Sequence, residues 1–392
     1  MSKNNSTWLL GAVLMLPSAR PTIEISGYRM VESKHQKKSM ELVAAKAALY
    51  KTENIAALFD LRAWVWGQNE EPFEATGSVG ILSSNSKDFE IQKEAKLLSP
   101  DGYLFQTTLL NYDASKNLFW GPDAVEAEQV ASKGPSPLKM TGLGFSVDLD
   151  KSQYEIQKNV RAQQSLPKGA GLDVRSQRAL MLGQEKVAFF LKKVIVKSPD
   201  FELFGERLKV EFEKKGDAQS PKSFTLDSPN EQGKRSKKIK ANLKKINLSA
   251  LGLVVSFSPE GDMDKTEALG EVDATSSEGV KMRADKLESR VLADGQNQVI
   301  MRGNVTIVAD KRTATCEEAE YIPETGQIVL KTVASVKKDK QVLEGDLIRF
   351  STKNSEIFVE KARGKIERKD TGLWEPFFLI NGCLTRDHTY FV

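Results

Sequence analysis

The sequence predicts an all-β fold built from repeated strands. One pattern occurs eight times: an apolar residue, a small residue two positions later, an apolar residue three positions after that, and a last apolar residue two further on. Polar turns and a second alternating segment follow most copies, and a long helical periodicity is missing. The copies span Leu42–Leu49, Phe105–Tyr112, Met140–Val147, Val174–Met181, Leu203–Val210, Met282–Ser289, Ala314–Tyr321 and Leu343–Phe350.

The spacing within one copy predicts a bent strand. Steps of two keep side chains on one face of a strand, whereas a step of three changes the face unless an extra residue is inserted as a bulge. We therefore expect each copy to kink in its middle and to curve a sheet around an interior. The alanine-rich segment 39–50 could also form a helix, but it occupies the slot of the other copies, and we expect a strand.

The turns between segments predict antiparallel hairpins. Asp, Asn, Gly and Ser concentrate at 113–117, 294–297 and 324–326, where hairpin turns require them. At 282, 314 and 343 the copies recur roughly every 30 residues, the length of one hairpin unit.

Composition gives no sign of catalytic chemistry. Among 392 residues there are two histidines and two cysteines, and neither type shows metal-ligand spacing. No nucleophile elbow, phosphate loop or dinucleotide fingerprint occurs. We therefore predict a protein that is not an enzyme and has no catalytic, cofactor or metal site. Cys316 stands in a small slot and is expected to be a buried apolar residue.

Segment 213–247 carries a basic run and several Gly, Ser and Pro residues, which predicts a flexible insertion. The run is either a solvated loop or a surface attracted to anionic lipid. Nucleic acid is disfavoured because no aromatic residues alternate with the charges to stack on bases. The basic residues are Lys234, Arg235, Lys237, Lys238, Lys240, Lys244 and Lys245.

The N-terminal segment holds nine uncharged residues, 8–16, preceded by Lys3 and followed by Pro17. Nine residues are too few to span a bilayer as a helix. The outline is that of a signal peptide or a shortened membrane anchor, and it predicts passage to or across a membrane. A buried N-terminal segment is the alternative.

Several motifs resemble the β-jellyroll family of lipopolysaccharide export. Segments 25–32, 41–50, 73–80, 98–103 and 110–113 resemble the inner-membrane-anchored C component of that transport system, and 280–287, 301–307, 314–321 and 343–350 resemble its periplasmic, OstA-like A component. The chain is thus similar to a fusion of the two. The predicted division is 1–20, a signal or shortened anchor; 21–162, the first jellyroll; 163–369, an OstA-like jellyroll carrying insertion 213–247; and 370–392, a tail that does not fit the repeat.

The resemblance implies tandem OstA-like jellyrolls, each a V-shaped antiparallel sandwich with an apolar groove that shields the acyl chains of lipopolysaccharide or a related glycolipid. Exposing those chains to water costs about 0.8 kcal/mol per CH₂. Unpaired edge strands would join the inner-membrane transporter and the outer-membrane translocon. The implied location is the periplasm, with association to the inner membrane through the N-terminus. The expected lipid-contacting residues are Phe105, Leu110, Phe145, Met282, Leu287, Leu343, Ile348 and Phe350.

The residues alone leave alternatives open. The same apolar slots would fill a closed sandwich core equally well. A non-catalytic β-helix or β-sandwich surface protein, such as an adhesin, is the second function class, and a polysaccharide-cleaving β-helix enzyme is related to it. An outer-membrane barrel is disfavoured because the aromatic residues are scattered and form no girdles.

Overall fold

The computed structural model describes residues 20–34, 36–68, 71–130, 138–165, 171–215, 218–229, 237–258, 262–292, 295–339, 341–353, 357–361, 363–366 and 389–391. All regular elements in these ranges are strands, which confirms the predicted fold class. Segment 39–50 lies within a strand and is not helical. Predictions for residues 1–19 and for most of the tail 370–392 fall outside the described residues.

The chain divides into two compact units. Unit 1 comprises Met1–Ser132, Pro137–Val160 and Leu180–Glu185, and unit 2 comprises Lys133–Ser136, Arg161–Ala179 and Lys186–Val392. The division along the main path of the chain falls between Val160 and Arg161, inside one strand.

Unit 1 is an antiparallel meander in which each strand from β1 to β8 pairs with the next along the chain. Antiparallel pairing of this kind follows from the short polar turns and differs from the parallel coils of a β-helix. The strands are β1 (Ile23–Lys34), β2 (Lys37–Tyr50), β3 (Ile55–Val65), β4 (Phe73–Ser83), β5 (Phe89–Leu98), β6 (Tyr103–Asp113), β7 (Leu118–Gln129), β8 (Lys139–Asp148) and β9 (Gln153–Ser165), of which β9 continues into unit 2.

Unit 2 continues with mostly antiparallel hairpins. Its strands are β10 (Gly171–Ser176), β11 (Arg178–Leu182), β12 (Val187–Ser198), β13 (Phe201–Lys215), β14 (Ala218–Asp227), β15 (Ile239–Leu243), β16 (Ile246–Ala250), β17 (Gly252–Phe257), β18 (Met263–Ser276), β19 (Lys281–Val291), β20 (Asn297–Ala309), β21 (Arg312–Ile322), β22 (Gln327–Lys338), β23 (Gln341–Ser351), β24 (Ile357–Glu360), β25 (Arg363–Ile366) and β26 (Thr389–Phe391).

All eight copies of the repeat lie on strands, and the predicted kink is present. In β21 the apolar and small slots Ala314, Cys316, Ala319 and Tyr321 are all buried, although the middle step is three residues. The ladder between β21 and β22 shifts register between Thr315 and Glu318. Two residues separate this pair on β21, whereas three separate their partners Ser335 and Lys331 on β22, so the bend is present but the extra residue lies on the neighbouring strand and not in the repeat copy. Comparable shifts interrupt most ladders near mid-strand.

The bends divide each sheet into two half-sheets. In unit 1, half-sheet A contains residues 28–34, 37–44, 61–65, 73–76, 95–98, 103–107, 124–129 and 139–143. Half-sheet B contains 23–26, 46–50, 55–59, 79–83, 89–92, 109–113, 118–121 and 145–148. Nearly every bent strand contributes one segment to each half-sheet.

The two half-sheets of unit 1 face each other. Phe105 lies opposite Ala127, and Ala127 lies opposite Met140, which is five residues away from Phe145 along β8. In a flat sheet Phe105 and Phe145 would therefore be far apart. Their rings are instead stacked with centroids 5.8 Å apart, because the bends fold half-sheet A over half-sheet B.

Segment 213–247 is a correction to the sequence prediction, since most of its described residues are strand and not a flexible insertion. β14 pairs with β13 in one half of that strand and β15 pairs with it in the other. Together β14 and β15 form one bent strand interrupted at its bend, where residues 230–236 fall outside the described part. The alternating Phe224, Leu226, Ile239 and Ala241 are buried, and this pattern was obscured by the surrounding lysines.

Candidate functional site

The eight side chains predicted to contact lipid are all buried in the interior of their unit. Their exposed fractions range from 0% for Leu110, Phe145 and Ile348 to 7% for Leu343. Three of them, Phe105, Leu110 and Phe145, belong to unit 1, and the other five, Met282, Leu287, Leu343, Ile348 and Phe350, belong to unit 2.

The interior of unit 1 is rich in aromatic rings. Phe105 contacts Phe145 and also Tyr154, with centroids 5.6 Å apart. A second cluster joins Tyr112 to Phe89 and Phe119, at centroid distances of 5.0 and 4.9 Å. Such ring pairs contribute about 0.5–1.5 kcal/mol beyond the burial of their area.

Sequence reasoning missed part of this interior. Phe119 on β7 is not among the predicted lipid-contacting residues, yet it is fully inaccessible, and its ring contacts Phe89 and Tyr112. Its neighbours Leu118 and Trp120 are only partly buried, because successive side chains of a strand lie on opposite faces. Leu58, between the buried Ala57 and the partly exposed Phe59, is likewise fully buried and was not among the predicted residues.

A buried arginine that the sequence analysis did not predict lies beside one of the predicted residues of unit 2. Arg312 is 4% exposed, and its guanidinium carbon lies 5.8 Å from the ring centre of Phe350. Arg312 begins β21, and the ladders place the start of β23, at Gln341, at the same end of the sheet. Phe350 lies nine residues further along β23, in the other half-sheet. The contact between Arg312 and Phe350 therefore joins opposing half-sheets. Asp310 lies 3.8 Å from Nη2, while Nε and Nη1 have no hydrogen-bond partner.

On the side of unit 1 opposite the bends, the turns of half-sheet A approach the turns of half-sheet B, and polar side chains make contacts between them. Tyr154 Oη donates to Asp101 Oδ1 at 2.6 Å. Lys87 on the β4–β5 turn lies 3.9 Å from Glu32 at the end of β1. We call this line of contacts the seam. The side chains of Lys87 and Glu32 are partly exposed, so this ion pair stabilises closure by about 1 kcal/mol or less, whereas the Tyr154 side chain is buried.

Unit 2 has a corresponding seam. Tyr321 Oη lies 3.4 Å from Ser276 Oγ, and Lys353 Nζ lies 3.8 Å from Glu278. Both contacts join a turn-proximal residue of one half-sheet to the β18–β19 turn of the other. The interior of each unit is therefore separated from water on this side by side chains and not by a backbone ladder.

Glu324, in the β21–β22 turn, ties three segments of unit 2 together. Its carboxylate accepts from Lys245 Nζ at 2.6 Å, from Asn297 Nδ2 at 2.8 Å and from the Asn297 backbone N–H at 3.2 Å. Burial alone would raise the pKa of Glu324, but these donors outweigh it and hold the pKa at about 2.

The small slots of the repeat lie where a neighbouring strand comes close. A Cβ on Gly142 would be 2.4 Å from Ile156 Cγ2, and one on Gly345 would be 2.6 Å from Val359 Cγ1. The bend brings the next strand onto these positions, so they admit no larger side chain. Thr107 and Ala284 occupy equivalent slots in their own copies.

β1 is at the edge of the unit 1 meander. Among the described residues it pairs with β2 on one side, and most of its side chains are exposed, including Ile23 at 41% and Val31 at 45%. A strand with one free side presents backbone groups that can pair with another chain.

Metal and membrane-helix features are not found in the described part of the chain. No group of three or more His, Cys, Asp or Glu side chains there could hold a metal ion. Within those same ranges no helix has the length and apolar character needed to cross a bilayer. Cys316, the cysteine within the described ranges, is buried, as predicted for a small slot.

Comparison with known families matches almost the whole described chain. Residues 16–165 match the family described as lipopolysaccharide-assembly, LptC-related, and residues 173–356 match the family of the LptA/(LptD N-terminal domain) LPS transport protein. No curated protein matches the chain closely enough to serve as a relative. Both families consist of transport bridge proteins, so the adhesin alternative is not favoured. The tandem matches, on two units of bent antiparallel strands, identify the chain as a fusion of an LptC-related and an LptA/LptD-type segment, a periplasmic bridge protein of lipopolysaccharide transport.

Proposed function

We propose that the interior of each unit receives the acyl chains of lipopolysaccharide or a related glycolipid while the sugar headgroup stays in water. The main support is that the eight predicted side chains form apolar interiors between facing half-sheets. A second support is the seam, since a chain could enter by separating contacts between side chains and leaving the backbone ladders intact. This transport role needs no chemistry at the bound lipid, and we propose that the protein is not an enzyme.

Photo-crosslinking tests this proposal. A photoreactive amino acid at Phe105, Phe145 or Phe350 is expected to form lipopolysaccharide adducts in cells. Leu143 and Val333 are matched controls, because Leu143 lies two residues from Phe145 on the same strand but is 42% exposed, and Val333 is 80% exposed. Equal adducts at control and interior positions, or none at the interior positions, would show a packed core and not a lipid groove.

We further propose that β1 joins another component of the transport system by strand pairing. Its free side and its exposed apolar residues support this assignment. Hydrogen exchange of β1 amides is expected to slow when the partner component is added, while β6 amides, already paired on both sides, stay unchanged. Unchanged exchange in β1 despite complex formation would place the joint elsewhere.

The predicted division at 162/163 and the predicted association of residues 1–20 with the inner membrane are also retained as proposals. The change of compact unit between Val160 and Arg161 supports the first. The uncharged run 8–16 supports the second. Fractionation of cells with and without residues 1–20 tests the second, because loss of the membrane-bound fraction is expected on deletion.

A further inference from the structure

A lysine-lined cleft of about 970 Å³ opens at the seam of unit 1. It lies between the tips of the two half-sheets, bordered by the β1–β2 and β6–β7 turns and by the residues after β3. Two carboxylates, Glu32 and Asp150, also border it. The lining lysines are Lys34, Lys37, Lys38, Lys87 and Lys116.

Two of these lysines have no acidic partner within the described residues. Lys34 and Lys37 are exposed and face each other across the β1–β2 ladder. Lys38, by contrast, lies 2.6 Å from Glu41, and Lys116 is paired with a carboxylate of its own turn. Two neighbouring lysines without a carboxylate partner leave uncompensated positive charge at this rim, which is therefore suited to bind an anion.

The floor of the cleft is apolar and leads to the interior. Met40 and Tyr112 line it and are only 3% and 6% exposed. The half-buried Trp66 also lines it, with Lys38 Nζ 5.2 Å from its ring centre. Tyr112 belongs to the aromatic cluster that continues into the interior of unit 1. A few residues thus separate a cationic rim from the apolar interior.

One amide closes this floor. Asn117 Nδ2 donates to the Trp66 carbonyl at 3.2 Å and to Asp150 Oδ1 at 2.8 Å, and Asn117 Oδ1 accepts from Tyr112 Oη at 3.0 Å. These bonds join three separate turns of unit 1. A rotation of this one side chain would release all three and widen the passage from the cleft to the interior.

We propose that this cleft binds a phosphate group in the headgroup of the transported glycolipid, with an acyl chain passing over Met40 and Tyr112 into unit 1. This inference rests on the proposed function. Lysine is a point charge well suited to phosphate, and tryptophan favours the boundary between polar and apolar surroundings. A free anion would make no favourable contact with the apolar floor, and an uncharged lipid would gain no electrostatic attraction from the lysines.

Binding to the full chain tests the assignment. The double variant Lys34→Gln/Lys37→Gln removes two cations without leaving a carboxylate unpaired. Lys46→Gln/Lys96→Gln is the matched control, because both lysines are exposed on unit 1 strands, away from the cleft, and have no ion pair among the described residues. The probes are phosphorylated lipopolysaccharide, the same lipid after enzymatic dephosphorylation, and inorganic phosphate.

The cleft variant is expected to bind the phosphorylated lipid about tenfold more weakly, with a flatter salt dependence, and to bind the dephosphorylated lipid as the parent does. The control should match the parent with every probe. An equal loss for both lipids, or no loss, would overturn the phosphate assignment. If inorganic phosphate binds the parent as tightly as the lipid does, the cleft is a simple anion site, and the proposed passage of an acyl chain over Met40 and Tyr112 is wrong.

The same samples separate this proposal from the broader one. If the photoreactive residue at Phe105 still forms lipid adducts in the cleft variant at parental affinity, the interior carries lipid and only the headgroup site is refuted. If the parent chain binds neither form of the lipid, the proposed function itself fails.

Discussion

Removing the charge of Glu324 should destabilise unit 2 in a strongly pH-dependent way. The substitution Glu324→Gln preserves the shape of the side chain while weakening its bonds to Lys245 and Asn297. The pKa of Glu324 lies at about 2, against an ordinary value of 4.5. At about 1.4 kcal/mol per pKa unit, the carboxylate contributes up to about 3.4 kcal/mol.

The expected effect is smaller, because the side chain is 24% exposed and water screens its contacts. We expect about 2 kcal/mol, or a decrease in melting temperature of about 4–8 °C at pH 7 for a unit of this size. Since the folded-state pKa is lowered, the contribution is complete above pH 4.5 and disappears as the pH falls towards 2. Parent and variant should therefore converge in stability over that interval.

Thermal unfolding from pH 7 to pH 2 measures both quantities. Glu317→Gln is the matched control, because Glu317 lies on β21, is exposed and forms no ion pair with a described residue. Its melting curve should follow the parent at each pH. A shift below 1 °C for Glu324→Gln at pH 7, or a gap that persists at pH 2, would refute the reasoning.

Three further experiments test the packing. Gly345→Ala places a Cβ 2.6 Å from Val359 Cγ1 and should lower the free energy of unfolding by about 1–3 kcal/mol in urea titrations. The control Gly171→Ala, whose Cβ would have no atom within 4 Å, should change that free energy little. Equal effects of the two substitutions would contradict the small-slot interpretation. Arg312→Met should raise the free energy of unfolding by about 1–3 kcal/mol, because it removes a buried guanidinium in which two nitrogen atoms lack hydrogen-bond partners. A decrease would show that the charge is compensated. The thiol of Cys316 should resist alkylation at pH 8 until the protein unfolds, since burial raises its pKa to about 11. Rapid labelling of the Cys316 peptide in the folded protein, separated from that of Cys383 by peptide mass spectrometry, would contradict this.

The repeat pattern predicted the bent strands because its step of three marks the position at which each strand changes direction, although the extra residue at the bend of β21 lies on the neighbouring strand β22. Leu343 and Phe350 could be assigned to one interior without knowledge of their partners. Composition was a poorer guide in segment 213–247, where the lysines point outward from strands whose alternate residues, such as Phe224 and Ile239, are buried.

The site was only partly predictable. Burial of Phe105 follows from a local pattern, but its contact with Phe145 depends on how sharply the strands fold over, which spacing does not specify. The lysine cleft was missed because Lys34, Lys87 and Lys116 come from turns separated by dozens of residues. Groups assembled from different turns leave no contiguous motif in a sequence.

Each bent strand contributes one segment to each of the two half-sheets, which form the walls of the interior. One strand therefore spans the whole cross-section of its unit. Removing a hairpin would delete one slice from the two walls together and shorten the stack by about 10 Å, twice the spacing of neighbouring strands. The walls would stay matched, and the chain would still run in the correct direction for the next turn. A fold assembled in this way can change its reach in whole hairpins without redesigning its interior.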